Sequence, residues 1–257
     1  MMLGPIGAIA FNTVRELVRS KLLYTLLLFA GLLIAGSIAI AQLTIGGWER
    51  IITDVSLAAI EIVGLLVAVL IGVSVVAGEV EKRTIYPTLA KPVSRGAFLF
   101  GRYAGLSAIL ALMTAIMLAL LWLTLRLSGY ALSGTALAAA SLILIELFVM
   151  ASVALFFSSF TTPILASAFS LSLFLIGHLL SDLRAFGERS KNPAARALVE
   201  GAARVLPDLE LLNLKGHAAN GLSVGGRFVA ASAVYGLAYA GLLLVLSIAV
   251  FRRRDLK

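Results

Sequence analysis

Six apolar runs, each long enough to form a helix that crosses a membrane, decide what this 257-residue chain can fold into. Hydrophobic residues make up 61% of the sequence and charged residues only 13%, which lies far outside the averages of soluble domains. We therefore predict an all-α integral membrane protein with a single transmembrane domain over residues 1–257. The six predicted spans cover about 22–41, 55–77, 103–125, 136–160, 164–181 and 228–251.

A short amphipathic segment, residues 5–21, precedes the first span. Apolar side chains repeat along one face of the predicted helix, and the opposite face carries Asn12, Arg15, Glu16 and Arg19. Because one face is apolar and the other is charged, we expect an interfacial helix that lies along the membrane surface. It is not counted among the spans.

Basic residues predict which side of the membrane holds the two termini. The N-terminal segment, the polar segment at 78–102 and the C-terminal tail carry twelve Lys and Arg residues, whereas the short loops opposite carry only Arg50 and Arg126. Lys and Arg accumulate in short cytoplasmic loops, so we predict a multi-pass protein of the cell inner membrane with both termini cytoplasmic. The long loop at 182–227 adds seven basic residues outside, but a loop of this length orients a protein only weakly.

The polar segment at 78–102 separates the second span from the third. Two prolines, Pro87 and Pro92, break it into short elements, and Ser94 is placed to cap the helix that follows. Its charge alone leaves two interpretations open: a solvated loop that only sets the topology, or a docking surface. The charged residues are Glu79, Glu81, Lys82, Arg83, Lys91, Arg95 and Arg102.

The order of residues in this segment resembles that of the ABC-2 type permeases, the membrane subunits of ATP-driven exporters, of the kind related to multi-copper enzyme maturation permeases. The resemblance is carried by Gly-Glu-x-Glu-x-x-Thr-Ile from Gly78, Leu-x-Lys-Pro-Val-Ser-Arg from Leu89, and Gly101-Arg102. The family often has Gly-Thr in place of Arg83-Thr84, and Gly-Lys in place of Gly101-Arg102. In that family this loop couples the permease to a separate ATPase. The resemblance therefore implies coupling roles for Glu79, Glu81, Lys82, Arg83, Thr84, Lys91, Pro92 and Arg95.

The same resemblance implies a function and a set of partners. The chain would be a non-catalytic permease subunit of an exporter, paired with a second permease subunit, in the simplest case as a homodimer. ATP and Mg²⁺ would be bound by the partner ATPase, and the chain itself would need no cofactor. Two alternatives stay open: an ATPase-driven mechanical transmitter or scaffold that acts on an extracytoplasmic partner, and a secondary transporter.

The sequence gives little support for a metal site, a phosphate-binding loop or nucleic-acid binding. The chain has no cysteine, and its two histidines, His178 and His217, have no metal-ligand spacing to other His, Asp or Glu residues, so we predict no metal site. A glycine spacing from Gly96 to Gly101 lacks the Lys and Ser/Thr of a phosphate-binding loop. Because the basic residues flank apolar spans, we expect contact with lipid headgroups and not with nucleic acid.

Three ionisable residues fall inside the predicted spans: Glu61, Glu146 and His178. From the predicted span ends, at 1.5 Å per residue, Glu61 lies about 9 Å below the outer surface, Glu146 about 15 Å, and His178 only a few ångströms. A charge at such a depth must face protein or water, because exposure to lipid is costly. The residues either form separate hydrogen bonds between helices or line the outward end of a substrate route.

The long outer loop at 182–227 contains helical signals of its own. Asn192-Pro193 is typical of a helix start, apolar residues repeat at helical spacing until Pro207, and a second short helix can follow Asp208. We expect these segments to rest on the outer membrane surface and cap the spans. A docking platform for an extracytoplasmic partner is the alternative.

Overall fold

The computed structural model describes residues 3–74, 94–189 and 192–253, and these residues form helices and connections without any strand. A 3₁₀ turn covers Leu209–Leu212. The all-α prediction is therefore confirmed. The helices are α1 (Leu3–Val18), α2 (Lys21–Gln42), α3 (Trp48–Ser74), α4 (Arg95–Leu127), α5 (Gly134–Ser158), α6 (Pro163–Arg189), α7 (Pro193–Val205), α8 (Lys215–Ala219) and α9 (Gly226–Arg253).

Six of these helices, α2 to α6 and α9, are long and apolar enough to cross a membrane, as the sequence predicts. Their burial separates an inner pair from an outer set. The most apolar segments of α3 and α5 are 72% and 67% buried, whereas those of α2 and α6 are each only 22% buried. The centre of the bundle is therefore built by α3 and α5, and α2 and α6 expose most of their apolar surface.

Three helices continue about two turns beyond the predicted spans, whose bounds within a membrane stay a prediction. The helix of the second span begins at Trp48 and not near residue 55, that of the third begins at Arg95 and not near 103, and that of the fifth ends at Arg189 and not near 181. Helix formation needs only local backbone hydrogen bonds, so a helix continues through polar residues that hydropathy excludes from a span. Ser94 caps the third span, because its hydroxyl oxygen accepts the N–H of Ala97 at 3.2 Å.

The inner pair of helices packs closely at two glycines of α3. A Cβ at Gly64 would lie 2.4 Å from Cδ1 of Leu147, and one at Gly72 would lie 3.1 Å from the Cβ of Ala154. Between these two glycines, Val67–Ile71 forms a π-helical turn, which the sequence analysis did not predict. Such single turns inside an α-helix are rare and are frequent at functional sites.

The N-terminal helix α1 packs against the first turns of α4. A Cβ at Gly101 would lie 2.8 Å from the Cβ of Ile9, so the two backbones approach closely at the small-xxx-small spacing of Gly101 and Gly105. Arg102 lies beneath α1 and donates to Glu16 at 2.7 Å and to Thr13 at 3.2 Å. We call this end of the bundle the terminal end. The position of α1 relative to a membrane surface stays a prediction.

Replacing Gly105 with Ala is expected to destabilise the protein. The added Cβ would lie 2.6 Å from the Cβ of Thr13 and 2.8 Å from the Ala10 carbonyl oxygen, so α1 must shift. Overpacking of this kind costs about 1–3 kcal/mol, which exceeds the gain of about 1 kcal/mol from replacing a helical glycine. Gly36→Ala in α2 is the control, because no atom lies within 4 Å of its added Cβ. Thermal unfolding checks this; equal melting temperatures for both variants would contradict the close packing of α1.

At the opposite end, which we call the loop end, the chain between α6 and α9 folds back into the bundle. Leu209, Leu212 and Leu214 are almost fully buried and join the main hydrophobic core. A Cβ at Gly177 of α6 would lie 2.8 Å from a side-chain carbon of Leu209. These buried leucines pack against the spans, as the expected capping role requires. The position of this loop relative to the membrane surface stays a prediction.

Hydrogen bonds and an ion pair hold this segment to α9 and α6. The hydroxyl of Tyr235 accepts the N–H of Asp208 at 2.8 Å, and the hydroxyl of Tyr239 donates to the Val205 carbonyl at 2.8 Å. Arg184 of α6 pairs with the buried Asp208 carboxylate at 3.2 Å. The loop end is thus a fixed part of the fold.

Candidate functional site

Glu61 of α3, Glu146 of α5 and His178 of α6 meet in the interior of the bundle, and we call them the buried cluster. One side-chain oxygen or nitrogen from each lies within 4.8 Å of the others. The two carboxyl side chains are 4% and 1% exposed, and the imidazole is 18% exposed. The three ionisable residues that the sequence analysis selected separately are therefore neighbours, although they come from three different helices.

The members of the buried cluster lie at nearly the same level in the bundle. At 1.5 Å per residue, Glu61 is about 20 Å from the start of α3, Glu146 about 18 Å from the start of α5, and His178 about 17 Å from the end of α6. Their contacts also place the three side chains at one level, whereas their depths below the outer membrane surface stay a prediction. The three side chains can consequently act on one ligand.

The imidazole of His178 is oriented by its own helix. Its Nδ1 lies 3.2 Å from the Phe174 carbonyl oxygen, which can only accept, so Nδ1 carries the hydrogen and donates it. The ring also packs against Phe174, with ring centroids 4.5 Å apart. The other nitrogen, Nε2, faces the two carboxylates, at 3.3 Å from Glu61 Oε1 and 3.5 Å from Glu146 Oε1.

Lys215 of α8 reaches the buried cluster from the loop end. Its Nζ forms an ion pair with Oε2 of Glu61. Burial lowers the pKa of the Lys215 ammonium group to about 8, and the Asp54 carboxylate counteracts part of this shift. Lys215 carries no sequence signal for this role, because it lies in a loop, 154 residues from its partner. No local spacing could have shown this contact.

Glu146 is the member of the buried cluster with the least hydrogen bonding. Within the described parts of the chain, neither of its carboxyl oxygens has a hydrogen-bond partner, and neither does Nε2 of His178. The contact of 3.5 Å between these two groups is close enough for an ion pair but too long for a hydrogen bond. Buried polar groups are normally paired, so the arrangement is suited to a cation or another polar ligand.

The predicted coupling residues fall almost entirely outside the described parts of the chain. Those that lie within 75–93 are Glu79, Glu81, Lys82, Arg83, Thr84, Lys91 and Pro92. Arg95 is described and begins α4. Its guanidinium donates to the carbonyl of Arg252 at 3.2 Å and approaches that of Phe251 at 3.5 Å, both in the last turn of α9. Arg95 therefore binds the C-terminal carbonyls of α9, where a cation is favourable.

An apolar cavity of about 490 Å³ lies between α5, α6 and α9. Its wall is formed by aliphatic and aromatic side chains such as Phe157 and Leu243, together with Arg204 at the end of α7. None of the members of the buried cluster lines it. Its chemistry suits a hydrocarbon chain, so it is a separate feature from the polar site.

Comparison with known proteins identifies the family. The model of a family described as "ABC-2 family transporter protein" matches residues 8–256, which is almost the entire chain. No curated protein matches the chain. Permeases of this family are generally non-catalytic membrane subunits and work with an ABC ATPase subunit. With its six apolar helices, the chain is a multi-pass membrane protein that belongs to the ABC-2 transporter family.

Proposed function

We propose that this protein is the transmembrane permease subunit of an ATP-driven exporter, and that a separate ABC ATPase subunit docks on the segment between α3 and α4. ATP and Mg²⁺ are bound by that ATPase. Both termini are cytoplasmic, in the cell inner membrane. Family membership supports the proposal, and one structural observation carries it. The first helix, α1, and the last, α9, both bind the start of α4, the helix that follows the docking segment.

The clamp joins three helices at the terminal end of the bundle. Arg95, the first residue of α4, binds the last carbonyls of α9. Two turns further, Arg102 binds Glu16 of α1, and the glycines beside it bring the two backbones into contact. Because packed helices move as rigid bodies, a push on the docking segment is transferred to α1, α4 and α9 together.

The other side of the docking segment continues into α3. This helix carries Glu61 and its π-helical turn, so its displacement reaches the buried cluster directly. We propose that Glu61, Glu146 and His178 line the outward end of the substrate route. Two observations support this proposal: the three side chains meet in the interior between α3, α5 and α6, and the Glu146 carboxyl group has no hydrogen-bond partner among the described residues.

We further propose that two permease subunits pair as a homodimer within the lipid bilayer. Large apolar side chains on α2 and α6 are exposed, including Leu28 at 66%, Leu32 at 63% and Ile164 at 82%. Such side chains require lipid or a second subunit beside them. We propose that some of these side chains contact lipid and others contact the second subunit, because two helices expose more surface than one narrow interface covers.

The mechanical-transmitter alternative is favoured by one observation. Lys215 ties the loop end directly to α3 through its ion pair with Glu61. A movement of α3 would therefore also move the outer segment, where an extracytoplasmic partner could be engaged. Transport measured in vesicles separates this alternative from the exporter, since a transmitter moves no substrate.

Purification from native membranes tests the proposed function. The chain, tagged at one terminus, is expected to co-purify with an ABC ATPase in equal amounts, and the reconstituted complex should hydrolyse ATP faster than the ATPase alone. A tagged, unrelated membrane protein of similar size is the control. A secondary transporter would bring down no ATPase, and that result would contradict the proposal.

A further inference from the structure

His178 presents an electron pair to two carboxylates, an arrangement that is unstable without a positive charge between them. Nδ1 donates its hydrogen to the Phe174 carbonyl, so in the neutral ring Nε2 carries the lone pair. That lone pair faces Oε1 of Glu61 and Oε1 of Glu146. A proton, held by Nε2 or by one of the facing carboxyl oxygens, or a metal ion between these atoms would remove the repulsion.

The distances favour a metal ion over a proton. An N–H···O hydrogen bond has a length of about 2.7–3.2 Å, and a charge-assisted one is shorter still. Both contacts are longer, at 3.3 and 3.5 Å. A tetrahedral ion with ligand bonds of about 2.0–2.2 Å holds its ligand atoms about 3.3–3.6 Å apart, which matches both contacts.

We propose that Glu61, Glu146 and His178 bind one divalent transition-metal ion, with Zn²⁺ as the representative. Mixed carboxylate and imidazole ligands suit ions of this class. The chain has no cysteine, so no thiolate competes for the ion. The three ligand atoms lie within 4.8 Å of one another. Rotation of a carboxyl group brings the oxygens of Glu61 and Glu146 close enough to bind the same ion. A fourth position stays available for water or a substrate group.

The groups around the three ligands are arranged as they are in known metal sites. Metal-binding histidines usually donate their second N–H to a carbonyl or carboxylate, and His178 donates to Phe174. The second oxygen of Glu61 is held by Lys215, which leaves its first oxygen directed at His178. Glu146 has no hydrogen bond within the described residues and is therefore available as a ligand. Lys215 acts here as a positioning residue.

Zinc binding by the purified full-length chain tests this proposal. The protein, carrying a tag without histidines, is reconstituted in lipid nanodiscs, stripped with a chelator and titrated with Zn²⁺. We expect one ion per chain, at least a tenfold loss of affinity in Glu146→Gln and in His178→Asn, and a loss of about tenfold in Lys215→Met. Glu49→Gln is the matched control, since it removes an exposed carboxylate from the same helix as Glu61 and should bind as the parent does.

A second measurement needs no variant. Co²⁺ bound to the parent chain should show the strong visible absorption of a four-coordinate ion, and X-ray absorption should show one imidazole among its ligands. Absence of bound metal in the parent, or equal affinity in the parent and the Glu146 and His178 variants, would overturn the proposal. Neither result depends on the ATPase, so the metal site and the exporter function can fail separately.

Discussion

Replacing Glu79 and Glu81 together with Lys is expected to abolish stimulation of the partner ATPase, while membrane insertion and pairing of the permease continue. The two carboxylates lie at the end of the second apolar run, in the segment whose residue order resembles the docking loop of ABC-2 permeases. Charge reversal converts attraction to a basic partner surface into repulsion, which costs several kcal/mol across an interface. The ATPase rate of the reconstituted complex is the measurement.

The control must carry the same change in net charge. Glu49→Lys with Glu188→Lys reverses two exposed carboxylates at the loop end, and we expect normal stimulation in that variant. If the Glu79 and Glu81 variant also stimulates the ATPase normally, the two residues only solvate a helix end. Surface substitutions of that kind usually change the free energy of unfolding by less than about 0.5 kcal/mol.

The number and type of the elements could be predicted from the sequence, but their ends could not. An apolar run of about 20 residues has to cross the bilayer as a helix, so composition alone determined the six spans. The start of α3 at Trp48 and the end of α6 at Arg189 depend on helical hydrogen bonding through polar residues, which leaves no mark in hydropathy. The depths of Glu61 and His178 below the membrane surface therefore stay predictions.

The buried cluster could be predicted only residue by residue. Glu61, Glu146 and His178 each stood out because an ionisable group in an apolar span is costly and therefore needs a partner. Which partner it has depends on the rotation and level of three helices, and these follow from close contacts such as that of Gly64 with Leu147. The metal ligands come from three spans, so a search for ligand spacing along the chain could not detect them.

The packing of the loop at the loop end was the feature hardest to predict from the sequence. Leu209, Leu212 and Leu214 lie in a loop outside the spans, and they are buried where Gly177 lets the chain approach α6 closely. This placement brings Lys215 to Glu61. The loop end and the spans are therefore joined by a charge pair whose strength can be measured directly.

A double-mutant cycle on Glu61 and Lys215 is expected to show strong coupling. Lys215→Met leaves the Glu61 carboxylate buried without its cation, and removing one partner of a buried ion pair costs about 3–5 kcal/mol. Glu61→Gln leaves the ammonium group in turn without its carboxylate. The double variant replaces both charges, so it should be much closer to the parent than the two single losses added together.

The cycle is measured as the free energy of unfolding in mixed micelles, at a pH below 8 so that Lys215 is charged, and with a chelator present to exclude any contribution from bound metal. Arg196 and Glu200 are the control pair: their contact of 2.8 Å is a close ion pair, but both side chains are at least half exposed. Water screens exposed charges, so this pair should show little coupling. Additive losses at Glu61 and Lys215 would mean that this ion pair does not hold the loop, and that its leucines and its contacts with α6 and α9 do. Coupling confined to the buried pair would instead show that the charge contact fastens the loop end to α3, the helix through which movement reaches the buried cluster.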